Sequence, residues 1–175
     1  MPPRSRPQLA ATAATAGVRP PRVNAAGQSQ LWEAASLGNV AKVRSLLAAS
    51  GGAQLVDLQD KYGSSPLYAA CHQGHTEVVQ TLVAAGAKVD LWAKDGASPL
   101  FVACQGGHTE VVCTLLSAGA KVDLQRNCGD TPLFMACQRG HTQVVRALLS
   151  AGARANLQDK GGGSPLRAAC YAGHT

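Results

Sequence analysis

The sequence predicts an all-α solenoid, in which short helix pairs stack side by side. The segment 131–153, TPLFMACQRGHTQVVRALLSAGA, recurs from Ser98 as SPLFVACQGGHTEVVCTLLSAGA and from Ser65 as SPLYAACHQGHTEVVQTLVAAGA. A constant period of 33 residues separates Pro66, Pro99, Pro132 and Pro165. The Gly-His pairs of these segments keep the same spacing. Fixed self-similarity at this period is typical of stacked repeats, in which each unit buries its apolar face against its neighbours.

Each repeat carries the signals of two helices. A serine or threonine such as Ser65 can accept a backbone N–H as an N-cap, and the proline after it suits the first helical position. Gly74 and its equivalents are expected to end this first helix in a left-handed conformation. The second helix shows one apolar stripe at helical period, which in the first complete copy is Val78, Val79, Leu82 and Val83.

The segment after the second helix completes the repeat. Gly86 ends that helix, and residues 87–96 (AKVDLWAKDG) turn back to the next Ser-Pro pair, with a tight turn marked by Gly96. The whole pattern resembles the ankyrin repeat, which joins a hairpin turn, a T-P-L-H-x-A-A segment, a Gly-His step and a second apolar helix. The resemblance covers residues 29–175. It implies an ankyrin-repeat α-solenoid with β-hairpin-like finger loops, and a non-catalytic scaffold that binds a partner protein.

The repeats divide the chain into a tail and one repeat domain. Residues 1–28 form a Pro/Ala/Arg-rich tail that composition predicts to be disordered. Residues 29–175 hold about four and a half repeats. Their predicted bounds are a capping repeat at 29–59, full repeats at 60–92, 93–125 and 126–158, and a truncated repeat at 159–175. The truncation makes the sequence resemble a fragment of a longer protein.

The tail leaves two targeting alternatives open, and both are disfavoured. A secretory signal would use Arg4 and Arg6 before an Ala-rich run, but that run contains Ala and Thr rather than Leu. A mitochondrial transit peptide fits the absence of acids, but the prolines break an amphipathic helix. No apolar run reaches the ~18 residues of a membrane span. The cysteines described below, rather than the tail, are the reason to expect an intracellular protein, in the cytoplasm or the nucleus.

The charge distribution argues against nucleic-acid binding by the repeats. Four of the sixteen basic residues lie in the tail, which has no acid, so twelve basic and ten acidic residues remain beyond it. A basic face spread along the body of the solenoid is therefore missing. A nucleic-acid-associated regulator remains the alternative of a different class. A substrate-recognition segment of a larger regulatory protein, such as a ubiquitin-ligase adaptor, is the alternative closest to the main interpretation.

Six cysteines are present, and four of them occupy the same position in successive repeats: Cys71, Cys104, Cys137 and Cys170. Helices in adjacent layers pack roughly 8–10 Å apart, whereas a disulfide needs Cα atoms within about 7 Å. We expect these four to be buried free thiols, at a position where the ankyrin family has alanine. Cys113 and Cys128 lie outside this register and are expected to be partly exposed. Unpaired thiols favour a reducing compartment.

Metal and catalytic interpretations are weak. Cys71 and His75 form a C-x3-H pair that recurs in each repeat, but structural zinc needs four converging ligands and each repeat offers two. The histidine is better interpreted as a donor to the turn of its own or the next repeat. Cys113 and Cys128 have no evident base, and the glycines recur as helix stops rather than as a phosphate loop. We expect no enzyme, cofactor, metal or small-molecule substrate.

The resemblance places a partner protein in the concave groove, against the finger tips and the first helices. The residues that carry this prediction change between repeats while the scaffold stays constant. They are Lys61, Tyr62, Tyr68, His72, Trp92, Lys94, Asp95, Phe101, Gln105, Arg126, Asn127, Asp130, Phe134, Gln138 and Arg139. The variation continues in the last repeat at Lys160, Gly161, Tyr171 and Ala172.

Tyr68, Phe101, Phe134 and Arg167 replace the histidine of the family's T-P-L-H segment. They predict either an aromatic column packed under the fingers or an apolar stripe partly exposed in the groove. Tyr62, Trp92, Phe101, Arg126 and Arg139 are the predicted hot spots, because they are large and lie near the middle of the array.

Overall fold

The structure is a computed structural model that describes residues 29–49 and 55–173. The predictions for the tail at 1–28 and for the insertion at Ser50–Gly52 lie outside the described residues. Within these ranges the regular elements are α1 (Gln30–Ser36), α2 (Val40–Ala48), α3 (Pro66–Gln73), α4 (Thr76–Ala84), α5 (Pro99–Gly106), α6 (Thr109–Ser117), α7 (Pro132–Arg139), α8 (Thr142–Ser150) and α9 (Pro165–Tyr171). The predicted all-α class is confirmed.

The local signals act as the sequence predicts. The Ser65 hydroxyl accepts a hydrogen bond from the backbone N–H of Tyr68 at 3.1 Å, and Pro66 follows at the first helical position. Thr131 caps α7 in the same way, at 3.0 Å from the N–H of Phe134. Gly74 ends α3 with φ 77°, a left-handed value that glycine adopts without strain.

The helices form two rows. The first helices α1, α3, α5, α7 and α9 pack against one another in chain order, and the second helices α2, α4, α6 and α8 form a parallel row. One leucine from each of α1, α3, α5 and α7 fills the space between layers: Leu31, Leu67, Leu100 and Leu133, none more than 1% exposed. The core therefore runs along the stack, as expected where each repeat buries surface only against its neighbours.

The histidines of the Gly-His pairs connect successive repeats. His75 Nε2 donates to the carbonyl of Ser36 at 3.1 Å, and His108 Nε2 donates to that of His72 at 3.2 Å. The acceptor lies in the preceding repeat, so the prediction of a partner in the histidine's own or the next repeat is wrong. The last carbonyls of a helix have no partner within it, and the imidazole of the following repeat reaches one of them.

The fingers are tight turns rather than strand pairs. Asp60 Oδ1 accepts the backbone N–H groups of Tyr62 at 2.9 Å and Ser64 at 2.8 Å, which closes the first finger. The N–H of Lys94 donates to the carbonyl of Tyr62 at 2.9 Å, and equivalent bonds tie the later fingers together. The fingers thus form a ladder with one backbone hydrogen bond at each step. Among the described helices, none is long and apolar enough to cross a membrane.

The cysteine prediction is correct for two thiols of the register and wrong for two. All six cysteines are free, and Cys71 and Cys104 are buried. Cys137 is half-buried and Cys170 is exposed. Cys71 and Cys104 lie on first helices that pack between two other first helices. Cys170 lies on α9, which packs against α7 and buries only Pro165 and Ala168. Cys113 and Cys128 are exposed, as expected.

Thiol alkylation should divide the cysteines into fast and slow groups. We expect iodoacetamide to label Cys113, Cys128 and Cys170 first in the native protein, and Cys71 and Cys104 last. Burial raises the pKa of the Cys71 and Cys104 thiols, so the reactive thiolate is scarce at neutral pH as well as inaccessible. Peptide mass spectrometry over a time course measures this order, and labelling in urea is the control. Native labelling of Cys71 at the rate of Cys113 would contradict the buried position.

Candidate binding surface

We define the groove surface as the finger tips and the exposed residues of the first helices. Most of the residues predicted from variation between repeats lie on it. The exposed members are Lys61, Tyr62, His72, Trp92, Lys94, Asp95, Asn127, Gln138 and Arg139. The half-buried members are Tyr68, Gln105, Arg126 and Phe134. Phe101 and Asp130 are buried, at 1% and 8% exposure.

Phe101 and Asp130 belong to the scaffold, so their prediction as contact residues is wrong. The Arg126 guanidinium lies over the Phe101 ring, 5.1 Å from its centroid. Its Nη2 and Nε bind one oxygen of Asp130 at 2.8 and 2.9 Å. This arginine covers the ring and neutralises the carboxylate. The interpretation of an aromatic residue packed under the finger therefore holds for Phe101.

Arg126 consequently has a structural role besides any contact with a partner. Although partial burial opposes its charge, the hydrogen bond and charge of Asp130 raise the pKa of Arg126. Burial raises the pKa of the nearby Tyr68 phenol, and Asp95 adds to the rise because a second negative charge there is unfavourable. Tyr68 is thus a neutral hydroxyl in the half-buried part of the groove. Asn127 is also structural, since its Nδ2 donates to the carbonyl of Lys94 at 2.9 Å.

A glutamine clamp holds the base of two fingers, and a tryptophan takes its position in the finger between them. Gln125 Nε2 donates to the carbonyl of Gly129 at 2.7 Å, in its own finger, and to that of Gln158 at 3.2 Å, in the next. Gln59 bridges the carbonyls of Gly63 and Trp92 in the same way. Trp92 occupies the clamp position of the finger between these two, where an indole has no second donor.

The two largest exposed side chains of the fingers are aromatic. Tyr62 is 60% exposed at the first finger tip, and Trp92 is 56% exposed at the second finger. The Lys61 ammonium lies 4.9 Å from the centroid of the Tyr62 ring, which limits the directions the ring can take. Exposed large aromatic side chains on a fixed backbone are the residue type most often found as interface anchors.

Sequence comparison identifies the repeats. The family model described as "Ankyrin repeats (3 copies)" matches residues 31–126 and 118–175. The chain belongs to the ankyrin-repeat family. Oxysterol-binding protein-related protein 1 of Rattus norvegicus is 42% identical over 74 residues, which are 38% of this chain and 8% of that protein. The same-named protein of Mus musculus is 40% identical over 74 residues, again 38% of this chain and 8% of that protein.

Ankyrin repeats are generally protein–protein interaction modules and are typically non-catalytic. The described ankyrin repeats contain no group of three or more His, Cys, Asp or Glu side chains that could hold a metal ion. Cys128 Sγ lies 3.3 Å from Asp130, but that carboxylate already binds Arg126. The described residues thus contain no such metal-binding group, and the carboxylate beside Cys128 is engaged by Arg126.

Sequence reasoning missed one part of this ankyrin surface. Between α7, α9 and the last finger the groove widens into a hollow of about 430 Å³. Phe134 lies at one side of it, and Arg167 and Tyr171 lie at the other. The signal was present in the sequence, because Gly163 stands where the preceding finger has Asp130. Only the structure shows that this loss of a side chain opens a space.

Proposed function

We propose that this chain is a non-catalytic scaffold that binds a partner protein through its finger turns and the concave face of its first helices. The observation that carries the proposal is the pair of exposed aromatic rings, Tyr62 and Trp92, on fingers held rigid by the backbone ladder. Binding surfaces on a rigid scaffold lose little conformational entropy when a partner docks. Two features supply that rigidity here: the backbone ladder between fingers, and the aspartates such as Asp60 that accept backbone N–H groups within a finger.

We further propose an intracellular setting, in the cytoplasm or the nucleus. The six free cysteines support it, since exposed thiols such as Cys113 persist more readily in a reducing compartment. The relatives' names concern oxysterol binding, but the alignment spans 8% of those proteins. The proposal therefore takes no sterol ligand from them.

Site-specific photo-crosslinking tests the location of the surface. A photoreactive phenylalanine analogue at Tyr62, on the finger, should capture the partner in cell extract. The same analogue at Gln80, an exposed position of the second helix α4, is the matched control and should capture little. Preferential capture from Gln80 would place the partner on the opposite row of helices and contradict the proposed surface.

A further inference from the structure

The hollow in the last part of the groove has a structural cause that the repeats reveal. In the preceding interval, Arg126 covers the Phe101 ring and its charge is neutralised by Asp130. One period later, Asp159 stands at the register of Arg126, and Gly163 at that of Asp130. No guanidinium lies over Phe134 in this structure, so that ring stays half-buried where Phe101 is buried.

Asp159 is turned toward its own finger. Its Oδ1 accepts the N–H groups of Gly161 at 2.8 Å and Gly163 at 2.7 Å. Asp60 folds back in the same way in the first finger, where Ser64 holds the position of Gly163, so this arrangement does not depend on the glycine. Two backbone donors already share the charge of this acid, which weakens its effect on the rest of the hollow.

The opposite wall carries a positioned cation. The Arg167 guanidinium lies 5.2 Å from the centroid of the Tyr171 ring, and its Nη2 is 3.4 Å from the Tyr171 hydroxyl. Among the described residues, no carboxylate lies within ion-pair distance of Arg167. A guanidinium held against a ring presents its remaining N–H groups in a fixed direction, which suits a carboxylate.

The charge of the groove surface changes along the stack. The first two fingers carry equal numbers of cations and acids, namely Lys61 and Lys94 against Asp60 and Asp95. From Arg126 onward the surface has four cations and two acids, and both acids are engaged, one by Arg126 and one by backbone N–H groups. Of the four cations from Arg126 onward, three have no ion-pair partner in the described structure: Arg139, Lys160 and Arg167.

We propose that this part of the groove binds an acidic segment of the partner protein. A glutamate or aspartate of that segment forms an ion pair with Arg167, and a neighbouring apolar side chain enters the hollow over Phe134. This inference rests on the proposed function and adds the chemistry of the partner. A basic segment is disfavoured because it would meet three unpaired cations, and like charges across an interface are costly.

Selection from random dodecapeptides displayed on phage, against the immobilised full chain, tests the proposal. We expect the enriched peptides to share an acidic residue next to an apolar one. Arg167→Gln should weaken their binding by at least about tenfold, because it removes the partner of the carboxylate. Arg146→Gln is the matched control, since Arg146 is an exposed cation of α8 on the second row of helices and its loss changes the net charge equally.

The outcomes separate this inference from the broader function. Equal losses from Arg167→Gln and Arg146→Gln would mean general attraction to a basic protein and would overturn the inference. Neutral or basic peptides that bind through Trp92 would also overturn it, but they would leave the proposed groove function standing. Enrichment of no peptide would count against a linear acidic ligand, and photo-crosslinking from Tyr62 would still report on the broader function.

Discussion

Replacing Trp92 with glutamine is expected to weaken partner binding by at least about 2 kcal/mol, roughly thirtyfold, without destabilising the fold. The indole is 56% exposed and is the side chain lost from the surface. The new amide stands at the position where Gln59 and Gln125 each bridge two carbonyls. It can therefore form the missing clamp to the carbonyls of Gly96 and Gln125.

This substitution separates binding from folding, which an alanine cannot do. Urea denaturation should show an unchanged or higher midpoint for Trp92→Gln, and fluorescence anisotropy with the captured partner should show the loss of affinity. Gln80→Ala on α4 is a suitable control. Glu77→Ala is not, because Glu77 forms an ion pair with Arg44 at 3.0 Å. Affinity equal to that of the wild type would place Trp92 outside the contact.

Replacing Gly74 with alanine is expected to lower the free energy of unfolding by about 3 kcal/mol. Gly74 has φ 77°, where an L side chain costs about 1–2 kcal/mol. An added Cβ would also lie 2.5 Å from Nδ1 of His108, in the next repeat. The imidazole would have to move and would lose its bond to the carbonyl of His72. The contact between these two repeats would therefore be weakened.

Gly86→Ala is the matched control for this prediction. Gly86 also has a left-handed backbone, with φ 87°, but nothing lies within 4 Å of an added Cβ. We expect this change to cost about 1 kcal/mol, the backbone penalty alone. Chemical denaturation of both variants measures the difference between them. Equal losses of unfolding free energy would show that the His108 imidazole moves aside without cost. Only the backbone conformation would then require glycine at position 74.

The described helices were largely predictable because their signals are local. Ser65, Pro66 and Gly74 specify the start and end of α3 within the helix itself, and the structure places them in those roles. The stripe of Val78, Val79 and Leu82 identifies the buried side of α4 for the same reason. The partner of His75 was predicted wrongly, since a spacing of 33 residues gives no direction along the stack.

The burial of each groove residue was decided by the tertiary structure. Phe101 and Phe134 are the same residue in the same register, yet one is buried and the other is half-buried. The difference comes from the finger that lies over each ring, which supplies Arg126 in one case and Asp159 in the other.

The sequence by itself determined the repeat, its helices and the family, because those depend on residues near one another in the chain. The tertiary structure decided which repeated positions are covered and which are open to a partner. Cys71 and Cys170 illustrate this, because they occupy the same position in two repeats, yet the Cys71 thiol is buried and the Cys170 thiol is exposed. The physical reason is that a side chain in a solenoid is covered by the adjacent repeat, and its own segment does not encode that cover.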